Sequence, residues 1–247
     1  YTTLFRSRAT GFCVLPSIFT DSEITDFRAI VLRNLGVMGR TREATHSRHL
    51  AGFHRFPALA SLHTAIASDR AINDFVSENY SGRSYYAIGL SDITVNRAQH
   101  WHTDLLRGRY RSFLDGGLPW TEPEASCVKA LVYLQDGASL CVVPGSHLAS
   151  SPLDDDQLDS LARSQEAVRV RVRSGDVVML DIRTVHRGAS DEEMSRPELA
   201  DSPKILCSTV FGPIGSAFAH AMQVGNAHRM ADWDLKYLSG TQPSALG

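Results

Sequence analysis

The sequence lacks the features of a membrane, secreted or nucleic-acid-binding protein. None of its apolar runs approaches the roughly 18 residues of a membrane span, and its first residues lack the pattern of a signal peptide. The formal net charge of the 247 residues is only −2, which argues against nucleic acid or an anionic membrane as the main partner. We therefore expect a cytoplasmic protein. Because the sequence begins at Tyr1 rather than Met, we expect its natural start to lie further upstream.

The cysteines have neither the spacing of a disulfide framework nor that of a zinc site. They are Cys13, Cys127, Cys141 and Cys207. Three of them lie in strand-like apolar runs, so we predict reduced and buried thiols, as in a cytoplasmic protein. The sequence also has no internal repeat, no low-complexity tract and no evident linker, and its length suits one domain.

The most informative pattern is His102-x-Asp104 followed by a distant His186. Alternate residues of a strand share one face, so His102 and Asp104 would point the same way. Strand-like runs at 85–95 and 176–182 precede the two parts of the pattern, and strand ends can converge on one side of a β scaffold. Two imidazoles and one carboxylate form the facial triad of non-heme Fe(II) oxygenases, which leaves coordination positions open. The alternatives are three unrelated polar residues or a catalytic zinc site.

Further motifs follow in a fixed order along the chain. They are QHWHTD at 99–104, VKALVYLQD at 128–136, LCVVPGSH at 140–147, GDVVMLD at 175–181 and HRG at 186–188. Together they resemble the core motifs of the phytanoyl-CoA dioxygenase family over about residues 84–212. The resemblance implies a double-stranded β-helix, a jelly-roll variant, with Fe(II) and 2-oxoglutarate bound inside and O2 as a further co-substrate. It also implies that His102, Asp104 and His186 bind the metal.

The predicted fold class is mainly β with flanking helices, in a single domain over residues 1–247. We predict supporting helices within 1–80, the double-stranded β-helix at 84–212, and a helical cap with a loose tail at 213–247. The alternating sequence VRVRVR at 168–173 predicts a strand with one solvated face. Three further histidines lie among arginines, and we interpret their segment as a solvated loop rather than a second metal site. They are His46, His49 and His54.

Two residues are candidates for holding the far carboxylate of 2-oxoglutarate. In the family, an arginine about ten residues beyond the distal histidine does this, because a guanidinium binds a carboxylate through two charge-assisted hydrogen bonds. Arg196 has the expected spacing from His186 but is followed by Pro197. Lys204 has the expected position at the start of the last strand, but it follows an insertion at 191–202 that we predict to be a flexible loop or lid. The spacing favours Arg196, and Lys204 stays open.

The resemblance implies oxidation of an unactivated C–H bond of a small molecule. Hydroxylation is the default, with desaturation, epoxidation or ring closure as alternatives, and a step in secondary-metabolite biosynthesis is our working hypothesis. Asp104 argues against halogenation, because halogenating relatives have a small residue there. The competing hypotheses are a zinc-type hydrolase or isomerase and a non-catalytic jelly-roll binding protein. Arg107, Arg109 and Arg111 follow the motif, and we interpret them as solvated loop charges rather than as an anion site.

Overall fold

Two antiparallel β-sheets packed face to face form the frame of the protein. The computed structural model describes residues 2–42, 46–114, 125–149, 154–164 and 167–238. Within these residues, the strands are β1 (Phe12–Leu15), β2 (Gly39–Arg42), β3 (Ser47–Ala51), β4 (Tyr85–Val95), β5 (Val128–Tyr133), β6 (Gly137–Val142), β7 (Val168–Val172), β8 (Val177–Asp181), β9 (His186–Arg187) and β10 (Ile205–Pro213). The helices are α1 (Thr2–Thr10), α2 (Asp21–Arg33), α3 (Pro57–Ala67), α4 (Arg70–Asn79), α5 (Asp155–Ser164), α6 (Asp191–Met194) and α7 (Ala217–Tyr237).

The strand order is that of the predicted double-stranded β-helix. The larger sheet has the order β1-β8-β5-β10-β4-β3-β2, and the smaller one has the order β7-β6-β9. All pairings between these strands are antiparallel. The predicted solvated face of the VRVRVR strand is confirmed, because Val170 and Val172 of β7 are buried whereas Arg169 and Arg171 are exposed. The four cysteines are buried and form no disulfide, as predicted.

The inner strands β5, β8 and β10 of the larger sheet are buried on both faces. Alternate residues of β5 point to opposite sides, so that Ala130 and Val132 join the core under the helices, whereas Leu131 and Tyr133 join the core between the sheets. A strand that is covered on both faces is expected to be continuously apolar, and β5 follows this rule except at Lys129. Lys129 shares the inner face with Leu131 and Tyr133, and only 7% of it is exposed. The inner face of this central strand therefore carries a buried cation.

Helices α2, α3 and α4 pack on the outer face of the larger sheet. Helix α2 begins at a capping box, in which the Thr20 hydroxyl accepts from the Glu23 N–H and the Glu23 carboxylate accepts from the Thr20 N–H. Pro57 occupies the first turn of α3, where its missing N–H removes no helical hydrogen bond. The buried residues of α2 recur at helical spacing. They are Ile24, Phe27 and Val31.

The segment predicted to be a solvated loop with three histidines is only partly so. His46 lies in an exposed turn and His54 in a 3-10 helix, whereas His49 lies in β3 of the larger sheet. Strands β2 and β3 pair with each other, and β3 pairs with β4. The prediction failed because His49 finds partners only in the tertiary structure. Its Nε2 lies 3.3 Å from Asp92 Oδ2, its ring packs edge-on against Trp233, and only 7% of the residue is exposed. A polar side chain with a carboxylate beside it can be buried at little cost.

The insertion predicted to be a flexible loop or lid contains two short helices. Helix α6 begins at a capping box between Ser190 and Glu193, and a 3-10 helix follows at Pro197–Leu199. The Asn96 side chain, just after β4, donates to the carbonyl of Leu199 at 2.9 Å. The insertion is therefore hydrogen-bonded to the end of β4.

The C-terminal part of the described chain is the long helix α7, close to the predicted cap. The predicted loose tail lies outside the described residues. No described helix combines the length and the hydropathy that crossing a membrane requires.

Candidate metal centre

Backbone hydrogen bonds bring the three predicted ligands together. His102 lies beyond β4 and forms an antiparallel bridge with His186 of β9, with N–H···O distances of 2.8 and 2.9 Å. The Asp104 N–H donates to the carbonyl of Ile182 at 2.9 Å. The segment that follows β4 is thus held to the segment between β8 and β9 by the protein backbone itself.

The side chains of His102, Asp104 and His186 converge. One potential ligand atom from each lies within 4.8 Å of the others. His186 Nε2 is 3.4 Å from Asp104 Oδ2, and His102 Nε2 is 3.8 Å from Asp104 Oδ1. Two imidazole nitrogens and one carboxylate at such separations are the donor set of a facial triad. No other group of three such residues in the described part of the chain converges in this way.

Hydrogen bonds determine which nitrogen of each histidine is free. His102 Nδ1 lies 2.6 Å from the carbonyl of His100, and His186 Nδ1 lies 2.9 Å from the carbonyl of Thr184. Because a carbonyl only accepts, each Nδ1 carries the hydrogen and each Nε2 keeps its lone pair. Burial lowers the pKa of both rings, so that both imidazoles are neutral. This combination of tautomer and charge is the one that metal binding requires.

Lys129 is a residue of this centre that the sequence interpretation missed. Its ammonium donates to Asp104 Oδ1 at 2.9 Å, and the two side chains are only 9% and 10% exposed. Burial alone would raise the pKa of Asp104, but the ammonium of Lys129, together with His186 and His102, outweighs burial and holds that pKa well below its ordinary value. The sequence did contain a signal, since Lys129 is the only charged residue in the apolar strand VKALVY.

The second carboxylate oxygen of Asp104, Oδ2, indicates whether a metal fits this centre. Asp104 Oδ2 is buried and has no hydrogen-bond partner, which is costly for a carboxylate oxygen. It lies on the side of His186 Nε2, whereas Oδ1 is occupied by Lys129. The two free Nε2 atoms and this unpartnered oxygen fit a divalent cation that binds the carboxylate through Oδ2 alone.

A cavity of about 280 Å³ adjoins the triad. Part of its wall belongs to the core between the two sheets, namely Leu131, Tyr133 and Leu140. Another part belongs to the core beneath α7, namely Leu90 and Leu106, with Leu105 packed against them. Charged residues line the same cavity, namely Asp92, Arg97, Arg107 and Arg229, together with Asp104 and Lys129. The cavity thus has two apolar regions, with the triad and several charges along its length.

Asp92 and Arg229 form a buried ion pair in the cavity wall. Arg229 of α7 donates to both oxygens of Asp92 on β4, at 3.1 and 2.8 Å. Burial would raise the pKa of Asp92, but Arg229 and His49 together outweigh burial and hold that pKa well below its ordinary value, so that the carboxylate is ionised. Asn226 accepts from Arg229 Nε at 2.9 Å and donates to the carbonyl of Gly89 at 3.0 Å. Helix α7 is therefore fixed to β4 by polar contacts beside the cavity.

Neither predicted anchor for 2-oxoglutarate lines the triad cavity directly. Arg196 is exposed at the start of the 3-10 helix in the insertion, and it shares with Lys204 a neighbouring cleft of about 560 Å³. Lys204 is partly buried, and its Nζ lies 5.7 Å from the centroid of the Tyr133 ring, which does line the triad cavity. Burial lowers the pKa of Lys204 to about 8. Of the two candidates, only Lys204 packs against the wall of that cavity.

Two further histidines of the motifs, and one of the arginines that follow His102-x-Asp104, lie outside the triad. The side chain of His100 is 80% exposed, and His147 Nε2 hydrogen-bonds the carbonyl of Arg8 at 3.1 Å, so neither joins the triad. Arg109 pairs with Asp232 of α7.

The family comparison agrees with this geometry. The family model described as Phytanoyl-CoA dioxygenase (PhyH) matches residues 7–192. The chain therefore belongs to the phytanoyl-CoA dioxygenase family of Fe(II)- and 2-oxoglutarate-dependent oxygenases, and the resemblance seen in its motifs is confirmed. The predicted enzyme class and the predicted cofactors are those of this family. No curated protein matches the chain in sequence.

Solved structures share the fold at low sequence identity. HygX from Streptomyces hygroscopicus, solved with nickel, 2-oxoglutarate and hygromycin B bound, is 23% identical with a TM-score of 0.62, and 87% of each chain is covered. The epimerase SnoN, solved in complex with Fe3+, alpha ketoglutarate and nogalamycin RO, is 18% identical with a TM-score of 0.61, and 88% of each chain is covered. The carbocyclase SnoK from nogalamycin biosynthesis is 24% identical with a TM-score of 0.61, over 86% of this chain and 83% of that chain.

Proposed function

We propose that this protein oxidises an unactivated C–H bond of a small molecule, with Fe(II) bound by His102, Asp104 and His186. The observation that carries the proposal is the state of the three donors. Both histidines present a free Nε2, and Asp104 presents a buried oxygen without a partner, all within 4.8 Å. A triad of this composition occupies one face of the metal and leaves the opposite face for substrate, co-substrate and O2.

The residues around the metal have separate tasks in this proposal. Fe(II) with 2-oxoglutarate and O2 supplies the oxidising chemistry when bound here. The carbonyls of His100 and Thr184 keep the two imidazoles in one tautomer and one orientation. Lys129 holds Asp104 Oδ1 and thereby presents Oδ2 to the metal. The leucines of the cavity wall exclude water from the reacting carbon.

Lys204 and Tyr133 are our proposed anchor for the far carboxylate of 2-oxoglutarate. Lys204 precedes β10, on the same face as Leu206 and Ser208, which line the cavity. Within the described residues, neither the Lys204 ammonium nor the Tyr133 hydroxyl has a hydrogen-bond acceptor, although Tyr133 is buried and Lys204 is partly buried. Tyr133 lines the inner, apolar end of the cavity and Lys204 packs on its ring, so two unused donors lie close together there and suit an anionic acceptor. Arg196 is exposed in the insertion and does not meet these conditions.

Hydroxylation of a small molecule in a biosynthetic pathway is the outcome that we propose. The solved relatives include an epimerase and a carbocyclase, so the same fold supports other outcomes as well. The carboxylate of Asp104 supports oxygenation over halogenation, because it fills the metal position that a halide would need. HygX and SnoN were solved with hygromycin B and nogalamycin RO, which supports a small molecule as the substrate.

Metal and co-substrate binding test the proposal before a substrate is known. Metal-free protein is titrated with Fe(II) and then 2-oxoglutarate under nitrogen, and binding is followed by calorimetry and by visible absorption. We expect His102→Ala, Asp104→Ala and His186→Ala to lose most Fe(II) affinity while staying folded, and to release no succinate when O2 is added. His100→Ala is the matched control, because its exposed side chain is two residues from His102 and should change nothing.

Two results would contradict the proposal. Near-normal Fe(II) affinity in any of the three alanine variants would remove that residue from the metal centre. Turnover of a substrate by the zinc-loaded protein without O2 or 2-oxoglutarate would instead support the hydrolase or isomerase hypothesis.

A further inference from the structure

Arg97 is a cavity-lining cation that the proposed chemistry does not use. It follows β4, is partly buried, and forms no hydrogen bond or ion pair with any described residue. It lines the triad cavity and also an adjoining outer cleft, together with His102, Gln99 and Arg107. The same outer cleft includes the exposed His100, so this end of the cavity faces solvent. Arg97 therefore lies between the metal centre and the outside.

The surroundings of Arg97 leave it short of negative charge. Burial lowers its pKa, and the neighbouring guanidiniums of Arg229 and Arg107 oppose its charge further. The carboxylate of Asp92 is near enough to favour the charged form, but both of its oxygens already accept from Arg229. One carboxylate thus faces three guanidiniums in this part of the cavity.

Binding of Fe(II) and 2-oxoglutarate does not remove the excess of positive charge around Arg97. Fe(II) brings two positive charges and 2-oxoglutarate brings two negative charges, so the loaded centre has the same net charge as before. Asp104 is already paired with Lys129. The excess of positive charge at Arg97 and Arg107 therefore persists when the cofactors are bound, and a partly desolvated guanidinium without a partner is unfavourable.

We propose that Arg97, assisted by Arg107, binds a carboxylate or phosphate group of the substrate at the outer end of the metal cavity. This inference rests on the proposed function and names the substrate class. The apolar wall of Leu90, Leu105 and Leu106 takes the remainder of the molecule, beside Asp104 of the triad. The substrate is then a small, largely apolar molecule with an anionic group at one end. The anionic group lies near solvent, and the reacting carbon lies deeper in the cavity.

Position separates this site from the proposed anchor for 2-oxoglutarate. Arg97 shares the outer cleft with His102 and His100, whereas Lys204 packs on Tyr133 at the end of the cavity between the two sheets. The fork of a guanidinium can bind either a carboxylate or a phosphate through two hydrogen bonds. The anion could therefore be of either kind, and simple probes distinguish them.

The test uses small anions that resemble one end of such a substrate. Protein loaded with Fe(II) and 2-oxoglutarate under nitrogen is titrated by calorimetry with benzoate, phenyl phosphate and the neutral benzamide. We expect at least one of the two anions to bind about tenfold or more tightly than benzamide, and the stronger one identifies the anionic group. Arg97→Gln should weaken that anion by about tenfold or more, since it removes a charged hydrogen-bonding partner. Arg97→Lys should restore part of the loss.

Arg109→Gln is the matched control, because Arg109 lies in the same region but is paired with Asp232. It should leave anion binding within about twofold of the original protein. Arg107→Gln should weaken binding less than Arg97→Gln, and it provides a second test if the Arg97 variants do not fold.

The possible failures are distinguishable. Equal binding of benzamide and both anions, or no effect of Arg97→Gln and Arg107→Gln, would overturn the anion site while leaving Fe(II) and 2-oxoglutarate binding intact. A tenfold loss of 2-oxoglutarate affinity in Arg97→Gln, with benzoate competing against 2-oxoglutarate, would also overturn it and would make Arg97 the co-substrate anchor. Failure of the unmutated protein to bind Fe(II) or 2-oxoglutarate at all would instead refute the proposed function.

Discussion

Replacing Lys129 by methionine should destabilise the metal-free protein by about 3 kcal/mol. The ammonium lies 2.9 Å from Asp104 Oδ1, and the two side chains are 9% and 10% exposed. Removing one partner of such a pair leaves a buried charge without compensation, which costs about 3–5 kcal/mol. We take the lower end of this range because Asp104 borders the cavity. About 1 kcal/mol corresponds to ~2–4 °C in a domain of this size, so Tm should fall by roughly 6–12 °C.

Metal should reverse most of this loss. A divalent cation beside Asp104 supplies the positive charge that the variant lacks, so metal should raise the Tm of Lys129→Met more than it raises the Tm of the original protein. The assay is thermal and urea unfolding with and without Ni(II), which avoids oxidation during heating. Lys204→Met is the control, because Lys204 is a partly buried lysine without an ion pair among the described residues. Its removal should not lower stability by a comparable amount.

The double variant Lys129→Met/Asp104→Asn completes the test. It removes both charges, so without metal it should be more stable than the single variant Lys129→Met. Metal should no longer stabilise the double variant. The reasoning about the ion pair is wrong if metal-free Lys129→Met stays within about 0.5 kcal/mol of the original protein. It is also wrong if metal raises the Tm of both proteins equally.

Further predictions concern the co-substrate, the reaction and the packing of α7. Lys204→Met should raise the KM for 2-oxoglutarate at least tenfold, whereas Arg196→Met should change it less than twofold. Because the pKa of Lys204 is about 8, its ammonium is charged below that pH and lost above it. The affinity for 2-oxoglutarate, measured by calorimetry, should therefore fall as pH rises from 8 to 10, and Lys204→Arg should remove this dependence. Asp104→Gly should abolish oxygenation, and mass spectrometry should never detect chlorinated product from the unmutated protein in chloride. Gly225→Val should destabilise the protein by about 1–3 kcal/mol in urea unfolding, because any side chain at this position of α7 would collide with Leu106.

The triad and the sheet core could be predicted from sequence because their signals are local. Alternation places His102 and Asp104 on one side of an extended segment, and the strand before His186 begins with the apolar run VVML. The fold then follows from the order of such strands. The His102-x-Asp104 pair and the strands depend on residues that are neighbours in the chain, and simple periodicity detects them. His186 is distant from this pair, and its place in the ordered set of motifs identified it.

The partners of the site were missed because they depend on contacts between distant segments. Lys129 is 25 residues from Asp104 in sequence, and only strand pairing brings the two together. His49 was interpreted as a loop residue because its partner Asp92 lies on another strand, and only the pairing of β3 with β4 brings the two together. No sequence pattern points to Arg97. Its proposed role depends on the tertiary structure, in which the nearby carboxylate of Asp92 already accepts from Arg229.

The backbone bridge between His102 and His186 has a consequence for which metal the protein carries. Because paired backbone N–H···O bonds of 2.8 and 2.9 Å position the two histidines, we expect metal binding not to be coupled to folding. Two imidazoles and a carboxylate also bind other divalent metals, and affinity for such donors rises from Fe(II) through Ni(II) to Cu(II), with Zn(II) also tighter than Fe(II). Occupancy by iron then depends on which metals the cell supplies. Protein purified in air should contain tighter-binding divalent ions, such as Zn(II) or Ni(II), if these are present during purification.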